Sequence, residues 1–209
     1  MSLSGLFLII FLLLHLAINS FLLFDNSGNL YNDAMHFMGT NPFIKIMEPI
    51  LAIGFIVHII YGSILTLKNQ SSRPVKYTTR KSQEHSFAAN NMWILGALVF
   101  VFLIIHIMDF FYKMKIENTE FLREGHNAYL LVTTKFNGGE IMHYVFILFY
   151  VLAAILLGFH IRHGMWSAFQ TIGMNNEIWK RRLQNLAVFF AYFFAIGYAC
   201  IPIIIGFVL

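Results

Sequence analysis

Four histidines stand inside strongly apolar stretches of the sequence: His15, His58, His106 and His160. An ionisable side chain at membrane depth is costly, so such residues point first to function and face the interior of a bundle. The plainer reading is a neutral histidine bonded to a neighbouring helix. It explains one such residue better than one in each of four successive stretches. A neutral imidazole is also a metal ligand. Zinc usually takes three or four protein ligands. Haem iron needs only two axial ones, because the porphyrin supplies the rest. Two facing histidines at each of two depths therefore describe bis-histidine sites for two haems b. Both would be bound without a covalent link, since the chain has one cysteine, Cys200, and no C-x-x-C-H motif. Six-coordinate iron suits electron transfer rather than oxygen binding. The single cysteine also excludes a disulfide framework, a Cys-ligated zinc site and an iron–sulfur cluster carried by this chain.

The elements that must position these histidines follow from the composition. The chain has 209 residues, of which 58% are hydrophobic, 17% aromatic and only 11% charged. A soluble domain runs at about a quarter charged. Five continuous apolar runs can be read, at 3–24, 43–67, 92–111, 141–161 and 186–208. Each is long enough to cross a hydrocarbon core of about 30 Å as a helix. Backbone polar groups must be satisfied within lipid, and continuous rather than alternating runs argue against a β-barrel. The expected fold is an all-α membrane protein, one domain in which five transmembrane helices surround two haems. The first run lacks a basic start and a small-residue cleavage site, which disfavours a signal peptide.

The charges orient the bundle. Residues 68–91 carry Lys68, Arg73, Lys76, Arg80 and Lys81, and residues 162–185 carry Arg162, Lys180, Arg181 and Arg182. These two loops hold nine of the 14 basic residues. The segment 25–42 has Asp25 and Asp33 before any base, and 112–140 mixes Lys113, Lys115, Arg123 and Lys135 with Glu117, Glu120, Glu124 and Glu140. The positive-inside rule places the second and fourth loops in the cytoplasm, with the N-terminus inside and the C-terminus outside. No loop is large enough for a soluble catalytic domain, and no nucleic-acid partner is expected. Lipid is the surrounding medium.

Depth then sorts the histidines. His58 lies about 14 Å from the cytoplasmic end of its span, and His160 is also near that end. His15 and His106 lie about 20 Å from it. Each pair joins helices of one direction, which can face each other across an up-down bundle. Gly54, Gly62, Gly96 and Gly158 lie in or near these spans. They could admit a flat macrocycle or simply serve close helix packing. Arg162 and His163 follow the inner ligand candidate and could meet propionates, or Arg162 could snorkel at the interface.

Several strings carry a family resemblance. They are Gly5-Leu-Phe-Leu, Leu13-Leu-His15-Leu-Ala-Ile-Asn19, Thr40-Asn-Pro-Phe, Met47-Glu-Pro49, His58-Ile-Ile-Tyr61-Gly62, Arg73-Pro-Val-Lys76-Tyr77 and Gly158-Phe-His-Ile-Arg-His-Gly-Met-Trp-Ser-Ala-Phe169-Gln-Thr-Ile-Gly173. The chain resembles the cytochrome b subunit of succinate dehydrogenase/fumarate reductase, of the bacterial single-chain, five-helix, di-haem type. The likeness covers nearly the whole chain, and the last string is its most specific part. It implies a membrane anchor for a flavoprotein with covalent FAD and an iron–sulfur protein, both on the cytoplasmic side of a bacterial inner membrane. The subunit would pass electrons between these partners and a quinone, menaquinone being the expected type, and would not act on succinate by itself. The resemblance maps the axial ligands to His15 and His106 for the outer haem and to His58 and His160 for the inner. The chain departs from the family pattern at its start, where the first apolar run begins at Leu3 without a short basic segment before it.

The quinone site has weaker signals. Glu48, before Pro49 at the outer end of the second span, and His36 in the outer loop are candidates for proton exchange. Trp166 and Ser167 could line an inner quinone pocket, although a Trp there also suits an interfacial belt. His85 and the bases of the second loop could contact the iron–sulfur partner. Two other functions fit the composition. One is a di-haem b anchor of another quinone-linked oxidoreductase, of hydrogenase or formate dehydrogenase type. The other is a small transporter using histidines as a proton relay, which the even spread of one histidine per span disfavours.

Overall fold

The computed structural model describes residues 1–71, 91–117, 128–174 and 176–209. Among these residues the chain is all-helical, with no strand. In chain order the helices are α1 (Ser2–Phe24), α2 (Asn29–Thr40), α3 (Pro42–Ser71), α4 (Met92–His106), α5 (Ala128–Phe136), α6 (Ile141–Thr171) and α7 (Glu177–Phe207). Helix α4 continues without a break as a π-helix over Ile107–Glu117. Five of these segments are long and apolar enough to cross a membrane: α1, α3, α4 with its continuation, α6 and α7. This is the fold of a multi-pass membrane protein. His85 and the second-loop residues Arg73, Lys76, Arg80 and Lys81 lie outside the described residues, as do Glu120, Arg123 and Glu124.

Local chemistry explains the helix ends. The α1–α2 turn is built on Asp25, whose carboxylate accepts from Ser27 N at 2.9 Å, Ser27 Oγ at 2.6 Å and Leu30 N at 3.0 Å. These bonds, Ser27's hydroxyl first, hold the Asp25 carboxyl below its usual range. Gly28 occupies the left-handed region at φ 76°, and a Cβ there would collide with the Tyr129 ring. Asn41 accepts from Phe43 N at 2.9 Å and Pro42 opens α3, the polar cap and N1 proline expected of a helix start. At the other end of the bundle, Gly173 at φ 90° stops α6, and the Asn176 side chain accepts from Trp179 N at 2.9 Å to start α7.

These signals make the helices longer than the apolar runs suggest. Helix α6 runs ten residues past 161, and α7 starts nine residues before 186. Arg162, His163, Trp166 and Ser167 are therefore helical, as are Lys180, Arg181 and Arg182. Hydropathy marks where a helix leaves the apolar layer. Caps and glycines mark where it ends. For the same reason the segment 25–42 contains the short helix α2, and 112–140 contains α5. Two hydroxyl side chains within the spans bond back along their own helices, which satisfies them inside lipid. Ser20 Oγ donates to Ala17 O at 2.7 Å, and Thr66 Oγ1 donates to Gly62 O at 2.9 Å.

Helices α6 and α7 pack against each other most closely. Gly158 lets the backbones approach: a Cβ there would stand 2.9 Å from the Ala191 carbonyl oxygen and 2.9 Å from Ala195 Cβ. The shared core draws Leu16 and Leu22 from α1, Tyr31 from α2, Met114 from the π-helix, Phe136 from α5, Ile147 and Tyr150 from α6 and Phe194 and Ile205 from α7. Burial raises the Tyr31 hydroxyl pKa well above its usual value. Helix α3 contributes nothing to this core, and none of its described residues is buried. Adjacent helices run antiparallel. Met1 meets Gly62, Gly5 meets His58 and Phe7 meets Gly54, so α1 rises as α3 descends.

Candidate cofactor site between the spans

The structure brings the four span histidines together in two pairs. The rings of His15 on α1 and His106 on α4 have centroids 5.7 Å apart, at 85° to each other. Those of His58 on α3 and His160 on α6 are 6.2 Å apart, at 70°. Each pair therefore bridges two helices of the same direction.

The two pairs lie at distinct levels. On α1, Gly5 marks the level of His58: a Cβ there would stand 3.4 Å from His58 Cε1. On α4, Gly96 stands in the same relation to His160, also at 3.4 Å. His15 follows Gly5 by ten residues, and His106 follows Gly96 by ten. On α6, Tyr150 lies against His106, with centroids 6.0 Å apart, and precedes His160 by ten. Three helices thus measure the same offset. Ten residues of α-helix rise about 15 Å.

The two levels have different walls. The outer pair sits in aromatic side chains. Phe11 stacks on His15 at 5.3 Å and Phe102 stacks on His106 at 5.5 Å, each one helical turn earlier. Phe110, Tyr150 and Tyr198 complete the surround. Tyr198 donates its hydroxyl to Leu12 O at 2.7 Å, which ties α7 to α1 beside His15. The inner pair is edged by small residues instead. Gly5 and Gly96 flank the two rings, and Ser4 Oγ lies 3.4 Å from His58 Nδ1.

His58 has a cross-helix partner in Ser4, but one histidine of each pair keeps an unpartnered nitrogen. His106 Nδ1 and His160 Nδ1 are buried with no hydrogen-bond partner among the described residues. An unsatisfied buried polar atom costs about 1–3 kcal/mol. Among the described residues no group of three or more His, Cys, Asp or Glu is placed to hold a metal ion. The donor set is thus two imidazoles per level, which matches a metal whose other ligands come from a macrocycle. Two metal–nitrogen bonds of about 2 Å each, with the imidazole radii, put ring centres about 6 Å apart. Both observed separations lie near that value, so the four histidines fit haem.

The other sequence candidates are distributed as follows. Gly96 does border a histidine, whereas Gly54 packs on Phe7, Gly62 on Met1 and Gly158 on α7. Arg162 is exposed, and His163 is half-buried one turn beyond His160. Trp166 packs against the core cluster, as a plain structural residue would. Ser167 is half-buried, its carbonyl accepting from Thr171 Oγ1 at 2.8 Å. Glu48 is paired with Lys115 of the π-helix at 2.7 Å, whereas His36 is exposed on α2.

One group escaped the sequence reading. Asp109, three residues after His106, forms an ion pair with Lys135 of α5 at 2.8 Å and accepts from Tyr150 Oη at 3.2 Å. The Lys135 ammonium also sits 3.4 Å from the centre of the Phe146 ring. An acid inside the apolar run 92–111 was the available signal. Its partners are distant in sequence and carry none.

The chain matches no protein-family model, no curated protein and no solved structure.

Proposed function

We propose that the chain is the membrane anchor and haem b subunit of a succinate:quinone oxidoreductase, of succinate dehydrogenase/fumarate reductase type. The observation that carries this reading is the pairing itself: two facing histidine pairs, on alternate helices, about 15 Å apart along the bundle. The sequence strings around His15, Glu48, His58 and His160 supply the family. Haem, when bound, supplies reversible one-electron chemistry. The chain's residues do the rest. His15 and His106 hold the outer group, and His58 and His160 hold the inner. The aromatic wall excludes water from the outer level, and Gly5 and Gly96 leave room at the inner one.

The orientation follows from charge. Lys68, Arg162, Lys180, Arg181 and Arg182 lie where α3 and α6 finish and α7 begins, with Glu177 as the one acid among the described residues there. Asp25, Asp33, Glu48, Asp109 and Glu140 belong to the other end. The basic end is the cytoplasmic face of a bacterial inner membrane and docks the iron–sulfur and flavin partners. Arg162 and His163 are the propionate candidates there, with Trp166 and Ser167 bordering the same end. Glu48 and His36 remain the proton-exchange candidates at the quinone end.

Purification of the chain with its partners tests the whole reading. It should yield a reduced-minus-oxidised spectrum of b-type haem at two per chain, and succinate-dependent dye reduction. Two haems without succinate activity would move the assignment to another quinone-linked anchor. A folded chain that takes up no haem would end it.

A further inference from the structure

The π-helix that follows His106 is held by charge on two sides. Asp109 pairs with Lys135 on α5, and Lys115 pairs with Glu48 on α3. The two pairs differ in burial. The Asp109 and Lys135 side chains are only 15% and 16% exposed, against 35% and 29% for Glu48 and Lys115. A pair withdrawn from solvent is weakly screened, so its field reaches neighbouring groups. Losing one partner also leaves an uncompensated charge.

The less exposed pair is joined to the outer histidines by a short chain of contacts. Lys135 Nζ donates to Asp109 Oδ1, Tyr150 Oη donates to Asp109 Oδ2, and the Tyr150 ring lies against His106. The Tyr150 ring also packs edge-on against Phe102, which stacks on His106. Among the described residues no ion pair stands beside the inner pair, where the N-terminal amine and His163 are the nearest titratable groups. The pair's neighbours include Gly5, Gly96 and Ser4. A π-helical segment commonly accompanies a functional site, and this one begins at the residue after a candidate ligand.

We propose that Asp109 and Lys135 are positioning residues for the outer level: their partly buried ion pair, acting with Tyr150, orients His106 and sets the electrostatic potential at the outer histidine pair. This rests on the haem reading above. The two charges oppose each other at that site. The Asp109 carboxylate favours the more positive, oxidised state of a bound haem, and the Lys135 ammonium favours the reduced state.

Redox titration of the haem-loaded full chain tests this. Asp109→Asn should raise the midpoint potential of the outer haem, and Lys135→Met should lower it. The double variant should return it towards the unsubstituted value, and the inner haem should stay unchanged in all three. Opposite signs are the signature, because loss of mere packing would move both single variants the same way. If one single variant fails to fold, the other still carries the test: its outer potential must shift in the sense given, and the double variant, which leaves no unpaired charge, must lie near the original. Two intact haems whose outer potential does not move, or moves alike in both single variants, would overturn this proposal and leave the haem reading standing. A folded chain without haem would overturn both.

Discussion

At the residue scale, unpartnered buried nitrogens mark three histidines among the described residues: His106 and His160 in the pairs, and His143 outside them. A core histidine in lipid is expected to donate to a neighbouring helix, yet His106 and His160 each keep a buried nitrogen unpartnered. Replacing His106 by Ala should remove the outer haem and leave the inner spectrum. Replacing His160 should do the reverse. A haem count and low-temperature difference spectra of the two variants check this. Glu48 has a different standing. Its pair with Lys115 is about one third exposed, so the pair is worth at most about 1 kcal/mol. Glu48→Gln should therefore barely change the unfolding temperature but reduce quinone-linked turnover; unaltered turnover would return Glu48 to a purely structural role. Asp25 offers a pH test outside the spans. Its carboxyl is held below the usual range by hydrogen bonds from Ser27 and Leu30. Their contribution is present above the unfolded carboxyl pKa and is lost as pH falls through the lower, folded value. The protection factor of the Leu30 amide should fall in that acid window, and Asp25→Asn should abolish that fall.

At the element scale, the bundle has a tight side and a loose side. In lipid, helices gain little from apolar burial as such, and close packing and interhelical polar bonds hold them together. Helices α6 and α7 satisfy that requirement through Gly158 against Ala191 and Ala195. A side chain at that position must push the backbones apart, so Gly158→Leu should cost at least the roughly 1–3 kcal/mol of an overpacked core. Thermal unfolding in detergent reads this directly. Helix α3 is the opposite case. It buries none of its described residues, and its polar ties include the Glu48–Lys115 pair and the approach of Ser4 to His58. A ligand gripped by His58 and His160 would supply the missing contact with α6. The two short helices have a structural part as well. Asn32 of α2 accepts from Tyr129 N of α5 at 3.0 Å, joining two segments that hydropathy reads as loops.

At the scale of the whole molecule, the two histidine pairs stand at two levels of one bundle. The end where α3 and α6 finish and α7 begins carries Lys68, Arg162, Lys180, Arg181 and Arg182 against Glu177, and the other end mixes Asp25, Asp33, Glu48, Asp109 and Glu140 with Lys45, Lys113, Lys115 and Lys135. Anything that binds the folded chain but not the unfolded one stabilises it by mass action, by about 2.7 kcal/mol at a hundredfold excess over Kd. Haem-depleted protein should therefore unfold at a lower temperature than the loaded form. Amide exchange should increase most along α3, the helix with the least packing of its own. Equal protection of α3 in both forms would show that the helix does not depend on the cofactor.

Much of this was legible in the chain of letters. Hydropathy alone determines five spans, because a helix crossing lipid must be apolar over about 20 residues. The depth of His15, His58, His106 and His160 follows from residue counts along those spans, because helical rise is constant. That arithmetic pairs them as the structure does, but it puts the levels about 6 Å apart where the structure has about 15 Å, because the helices extend past the apolar runs from which depth is counted. The helix ends were less legible, because caps such as Asn176 and Gly173 work outside the apolar layer. The Asp109–Lys135–Tyr150 cluster was decided by tertiary structure alone. Its members lie 15 to 41 residues apart, on a π-helix, a short surface helix and a span, and no local rule brings such residues together. The use of the glycines was likewise settled only by contact. Gly96 faces a histidine and Gly158 faces a backbone, a difference that depends on what lies opposite and not on the glycine.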